Sequence, residues 1–265
     1  MRRWAGGIAL LAVGAVVLGA VVHDSSHRSS HAQEESFLGE AERLPAPPRP
    51  AFTVRKPRLL PRAERLARFA PVLRPLEARS APLPDAHLVA PLDLETPEGT
   101  TNIVLVIGER LLPDGLWARI RLPILPNDRT GWVPRAALGG YHFVHTHLVV
   151  DRTRFTATLL RDGRKVFAAP IGVGKQESPT PAGEFYVRNR LSGFGNPFYG
   201  PVAFGTSARS AVLTDWPNGG FVGIHGTNEP SLIPGRVSHG CIRLRNADIL
   251  RLSRLMPVGT PVTIS

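Results

Sequence analysis

The chain has 265 residues, 43% of them hydrophobic, and a net charge of +11 from 32 basic and 21 acidic side chains. That length holds one or two domains with an ample core, while 26 prolines indicate that a sizeable part does not pack. One cysteine excludes an intramolecular disulfide and is silent on compartment. Lys56, Lys165 and Lys175 are the only lysines, so the charge is almost wholly guanidinium and therefore permanent. Such a surface attracts polyanions. No nucleic-acid recognition motif or basic helix accompanies it, which argues against nucleic acid; an exported protein would meet anionic wall polymers and lipid headgroups instead. From residue 141 onward, 14 basic against 7 acidic residues leave +7, which places most of the charge on the C-terminal half.

Arg2 and Arg3 precede an uncharged run of eighteen residues, Ala5 to Val22, long enough to cross a bilayer as a helix. No Ala-x-Ala site closes it, and Ser30-His31-Ala32 follows only after a polar spacer. Residues 1–23 are therefore expected to be a retained signal anchor with the N-terminus inside; secretion after cleavage is the alternative. The only cysteine is at position 241, which rules out a lipid-modified cysteine near the N-terminus.

Residues 24–99 are rich in Pro, Arg and Ala, with twelve prolines from Pro45 to Pro97. They are expected to form a largely disordered tether reaching on the order of 200 Å at full stretch, from about 3.1 Å per residue. A short amphipathic helix is predicted from Pro61 to Ala70, with Leu66 and Phe69 on one face. His23, His27 and His31 recur every fourth residue without companion carboxylates or cysteines and read as solvated tether residues.

Residues 100–140 read as a small β unit. Ile103 to Ile107 is a β-branched run, Leu116 to Leu122 alternates around Trp117 and Ile120, and Gly131-Trp132-Val133-Pro134 opens another strand. From residue 141 to 265 a mostly β domain is expected. His147 to Val150, Phe155 to Leu160, Val166 to Ile171 and Glu184 to Arg188 read as strands, with an Asp162-Gly163 hairpin turn. A late helix is predicted over Ala247 to Met256, capped by Asn246 and stopped at Pro257. His142, His145 and His147 lie close together, but nothing around them suggests a metal site.

The chemistry concentrates in Gly223 to Arg245, GIHGTNEPSLIPGRVSHGCIRLR. A cysteine attacks as a thiolate and needs a neighbouring base. Two histidines are on offer: His239, two positions before Cys241, and His225, sixteen before it. Gly226 and Gly240 let backbone approach a substrate closely, and the amides near Cys241 could face a developing oxyanion. Upstream, SGFGNPFYGPVAFG from Ser192 to Gly205 combines glycines with aromatics, as a groove-lining loop would.

The pattern His-Gly-Thr followed by Ser-His-Gly-Cys closely resembles the signature of L,D-transpeptidases with a YkuD-type catalytic domain. Pro179-Thr180-Pro181-Ala182-Gly183-Glu184-Phe185 and Pro257-Val258-Gly259-Thr260-Pro261-Val262 are similar to that family's flanking segments, so the resemblance covers roughly Tyr141 to Ser265. It implies a β-sandwich with a short helix, without cofactor or metal. It also implies Cys241 as nucleophile, His225 as proton donor and acceptor, the Gly226 carbonyl orienting the imidazole, and His239 holding the turn. The backbone amides of His239, Gly240 and Cys241 are the implied oxyanion hole. Tyr199, Phe204 and Trp216 are expected to wall the substrate cleft, and Ser238 and Arg243 to support or bind a substrate carboxylate.

The implied reaction is peptidoglycan 3→3 cross-linking through a thioester on a tetrapeptide stem, with an L,D-carboxypeptidase or a non-catalytic wall-binding protein as alternatives. Carbapenem-type β-lactams are the implied covalent inhibitors, and the cell envelope is the implied location. Residues 100–140 in turn resemble bacterial SH3-like barrels that precede such domains, through Trp117 to Asn127 and Gly131 to Pro134. A thiolate outside the cytoplasm is exposed to oxidation, so mild peroxide is expected to inactivate it.

Overall fold

The computed structural model describes residues 66–192, 196–214 and 220–265. The expected anchor, most of the expected tether and Trp216 lie outside the described residues. Among the described residues no helix is long and apolar enough to cross a membrane.

The first layer is a seven-stranded antiparallel sheet: β1 (Ala67–Pro71), β2 (Leu76–Arg79), β3 (Leu88–Leu92), β4 (Ile103–Leu112), β5 (Gly115–Arg121), β6 (Thr130–Pro134) and β7 (His142–Val144). Its order is β3-β2-β6-β5-β4-β1-β7. The β-branched run at the start of β4 is buried from Ile103 to Val106, and on β5 Ala118 and Ile120 share the face that joins the core, while Trp117 is buried on the opposite face. Two sequence expectations need correction. The segment assigned to the tether up to residue 99 supplies three strands, and residues 67–70 of the predicted helix belong to a strand, residues 61–65 lying outside the described ones. Two of the prolines that suggested a tether occupy positions strands tolerate: Pro71 ends β1, and Pro91 sits on β3, which among the described residues pairs only with β2. The unit is thus larger than residues 100–140, and where a small barrel was expected, β3 and β7 each pair on one side only among the described residues.

The second layer begins at β8 (Thr146–Asp151) and continues with β9 (Thr156–Arg161), β10 (Arg164–Pro170), β11 (Gly172–Gly174), β12 (Gly183–Ser192), β13 (Val202–Arg209), β14 (Phe221–His225), β15 (Gly235–Ser238), β16 (Ile242–Arg243), the helix α1 (Asn246–Leu255) and β17 (Pro261–Ile264). The β9–β10 hairpin closes on Asp162 and Gly163, both at positive φ, as an Asp-Gly turn requires. Strand β12 joins two halves: Gly183 to Tyr186 pair with β17, and residues from Val187 to Ser192 pair with β13. One core cluster collects Leu148, Leu159, Phe167 and Phe185 from one half with Phe204, Ile224 and Ile242 from the other, so the halves form a sandwich. Each such fully buried side chain contributes about 1.5–3 kcal/mol. Helix α1 closes the sandwich through Ile249 and Leu252. It starts one residue earlier than predicted, and Asn246 does not cap it; its Oδ1 instead accepts the Thr227 amide.

The two layers share a small core of Phe69, Ile103, Leu105, Val144 and Tyr186. The buried Tyr186 hydroxyl donates to the Ile103 carbonyl at 3.0 Å. The histidines near the junction have structural partners: His142 stacks on Phe69, His145 meets Asp162 at 2.7 Å, and His147 meets Thr263 at 2.7 Å.

Candidate active site

Strands β14 and β16 run parallel, pairing Ile224 with Ile242 and His225 with Arg243. Cys241 immediately precedes β16, opposite Gly223 in this register, so its side chain and that of His225, two positions further along β14, fall on one face of neighbouring strands. Both line one narrow cavity of about 40 Å³, which has room for only a few waters.

His225 is buried, and its Nδ1 lies 2.6 Å from the Gly226 carbonyl. A carbonyl can only accept, so Nδ1 carries the hydrogen and Nε2 is left as an acceptor. That Nε2 is buried and has no hydrogen-bond partner among the described residues. Burial pushes the imidazole down from its usual value near 6.5 to about 4; the Gly226 bond partly opposes this, and the Arg243 charge adds to it. Burial likewise pushes the Cys241 thiol up, opposed by the Gly223 amide, which donates to Sγ at 3.4 Å, and by Arg243. The resting pair is therefore a neutral thiol and a neutral imidazole. It is not the thiolate that cysteine reactivity alone would suggest.

The turn carrying Cys241 is held from within and from outside. The Ser238 hydroxyl donates to the Cys241 carbonyl at 2.5 Å and accepts the Gly240 amide at 3.1 Å. Buried Thr180 donates to the Gly240 carbonyl at 2.7 Å and accepts the Gly174 amide at 2.8 Å. Gly240 has φ +120, where an L side chain would be strained. Ser238, expected as a substrate contact, thus has both its hydroxyl functions engaged in the turn, although it also lines the cavity. Of the three amides assigned to an oxyanion hole, that of Gly240 already has an acceptor.

The remaining expected residues divide. Tyr199 lines the cavity with its ring edge-on to His225 at 5.1 Å. Phe204 does not: it is fully buried in the sandwich core, because β13 turns it away from the cavity toward β8–β10 and α1. Arg243 is buried, its Nη1 bonded to Glu229 at 3.1 Å and its guanidinium 4.3 Å from the Phe198 ring, while its Nε has no partner among the described residues. His239 is exposed at the cavity rim. Sequence reasoning missed the Gly223 amide, Phe198 and the Thr180 clamp. Thr180 lies within the flanking segment that carries the family resemblance, but nothing local marks it as a partner of Gly240.

A β-sandwich whose thiol and imidazole open onto one cavity has the arrangement that thiol-dependent acyl transfer requires. Residues 145–264 match the family model of the L,D-transpeptidase catalytic domain, YkuD. The chain is 40% identical over 119 residues to YkuD of Bacillus subtilis strain 168, a match covering 45% of this chain and 65% of that protein. It is 57% identical over 138 residues to YbiS of Escherichia coli K12, covering 45% of this chain and 44% of that one. Both relatives are provisionally named L,D-transpeptidases, and the chain spans less than two thirds of either. Among solved structures, the catalytic domain of an E. faecium L,D-transpeptidase is similar at 28% identity and a TM-score of 0.34, over 45% of this chain and 96% of that one.

Proposed function

We propose that this chain is a peptidoglycan L,D-transpeptidase that works through a thioester on Cys241. The observation that carries the reading is the His225 geometry: Nδ1 is tied to the Gly226 carbonyl, so the unpartnered Nε2 is the basic atom on the cavity that Cys241 shares. As Sγ attacks the carbonyl of the third, diamino residue of a tetrapeptide stem, Nε2 takes the thiol proton. The tetrahedral oxyanion is met by the amides of Cys241 and His239, the Gly240 amide being engaged with Ser238. Collapse expels terminal D-Ala, which leaves with the proton from His225, and a thioester remains. The side-chain amine of a second stem then attacks; Nε2 takes its proton and returns it to the departing thiolate, giving a 3→3 cross-link.

Tyr199 and Phe198 form the apolar wall of the donor site, with Trp216 assigned to the same cleft. Arg243, its Nε unpartnered, is assigned to a stem carboxylate. The envelope location, membrane anchorage and covalent inhibition by carbapenems belong to the same proposal. Incubating the full chain with disaccharide tetrapeptide and reading products by mass spectrometry tests it. A 3→3 dimer is expected; tripeptide alone would make it an L,D-carboxypeptidase, and unmodified substrate with a reduced thiol would make it a wall-binding protein.

A further inference from the structure

The wall of the catalytic cavity is attached at both ends to the N-terminal sheet. Strand β13 ends at Arg209 and β14 starts at Phe221; Ser210, Gly220, Phe221 and Val222, around those ends, line the cavity. The ends are tied to each other by the Ser210 amide donating to the Gly220 carbonyl at 2.8 Å. At the first end, the Asn127 side chain grips the Arg209 backbone twice. Its Nδ2 donates to the Arg209 carbonyl at 2.8 Å, and its Oδ1 accepts the Arg209 amide at 3.0 Å. Asn127 lies on the β5–β6 connection of the other layer.

At the second end, the Phe221 ring lies 3.7 Å from the Arg188 guanidinium. Arg188 is buried on β12, where its Nε donates to the Thr206 carbonyl at 2.9 Å. Its charge is met by Glu98 of the β3–β4 connection, at 2.9 and 3.1 Å to the two carboxylate oxygens. Glu98 also accepts from Asn189 Nδ2 at 3.0 Å, and Asn189 Oδ1 accepts the Gly205 amide at 3.0 Å. Gly205 pairs with Gly223, whose own amide donates to Cys241 Sγ. An unbroken series of contacts thus runs from Glu98 to the thiol. A buried guanidinium that close to an aromatic face stays in place only while its counter-charge does.

We propose that Glu98 and Asn127 are positioning residues for the active site, so that the N-terminal sheet is a working part of the catalytic cleft and more than a spacer. The proposal rests on the reading of Cys241 as nucleophile only for its effect on rate; its effect on the β13–β14 wall stands apart from that reading. The test uses the full chain with Glu98→Gln, Asn127→Ala and, as a control at the same interface, Tyr186→Phe. Amide hydrogen exchange by mass spectrometry is expected to quicken on the order of tenfold across residues 203–209 and 221–225 in the first two variants. It should remain unchanged across β8 and β9, and Tyr186→Phe should leave the wall as it is. Carbapenem acylation should slow on the order of tenfold, chiefly through weaker binding, while alkylation of Cys241 by small, uncharged iodoacetamide changes by less than about threefold.

Folded variants whose wall exchanges at the wild-type rate would overturn the proposal, as would a uniform quickening through both layers, which denotes a general loss of stability. If the wild-type chain is not acylated at all, the transpeptidase reading fails, and the exchange result still decides the positioning role.

Discussion

Replacing His225 by Gln removes an imidazole that burial drives from near 6.5 to about 4, with a consequence for stability. Between those values the unfolded chain holds a proton on His225 that the folded chain does not, so lowering pH favours unfolding. The contribution is intact above 6.5, is lost as pH falls through the window and is exhausted below about 4. With those two values, the wild type loses about 2 kcal/mol by pH 5 and about 3 kcal/mol by pH 4 that the Gln variant does not lose. Urea unfolding of both chains from pH 7.5 to 4.5, taken as a difference so that shared groups cancel, should show the gap closing from the wild-type side as pH falls. A flat difference would mean that His225 titrates like a solvated imidazole. A slope of opposite sign would mean that it rests as an imidazolium paired with a Cys241 thiolate, and the neutral-pair argument would fail.

The same neutral pair sets the reactivity. Because the base is free above about 4, the acid limb of carbapenem acylation should fall near that value and not near 6.5, which a pH profile of the acylation rate reads directly. Peroxide should inactivate slowly at neutral pH and faster as pH climbs past 9, since burial holds Cys241 above its usual 9.0; rapid inactivation at pH 7 would indicate an exposed thiolate. Thr180→Val keeps shape but strips partners from the Gly174 amide and the Gly240 carbonyl. It should cost about 2–3 kcal/mol in urea unfolding and slow acylation, whereas a loss under about 0.5 kcal/mol would show that the turn is held by Ser238 alone. Gly259→Ala, at φ +79 with a Cβ 2.1 Å from Phe69, should destabilise by more than about 2 kcal/mol; normal melting would contradict the tight junction of the two layers.

What was legible in the sequence had local causes. Asp162-Gly163 marks a hairpin because two consecutive positive-φ residues are favourable there, and the strand at Ile103 follows from a β-branched run. The candidate chemistry was legible because histidine and cysteine types are rare and their flanking glycines informative. Tertiary structure alone decided the rest. Strands β1 to β3 form in a proline-rich segment because β4 and β6, distant in sequence, offer them partners. Alternation along β13 cannot say which face meets a core and which a cavity, so Phe204 read as a cleft wall until α1 and the facing sheet covered it. Protonation states were equally out of reach, because they depend on how deeply water is excluded from His225 and Cys241. The pairing of Glu98 with Arg188, 90 residues apart, leaves no local trace, since a charge in sequence looks the same whether solvent or a buried partner balances it.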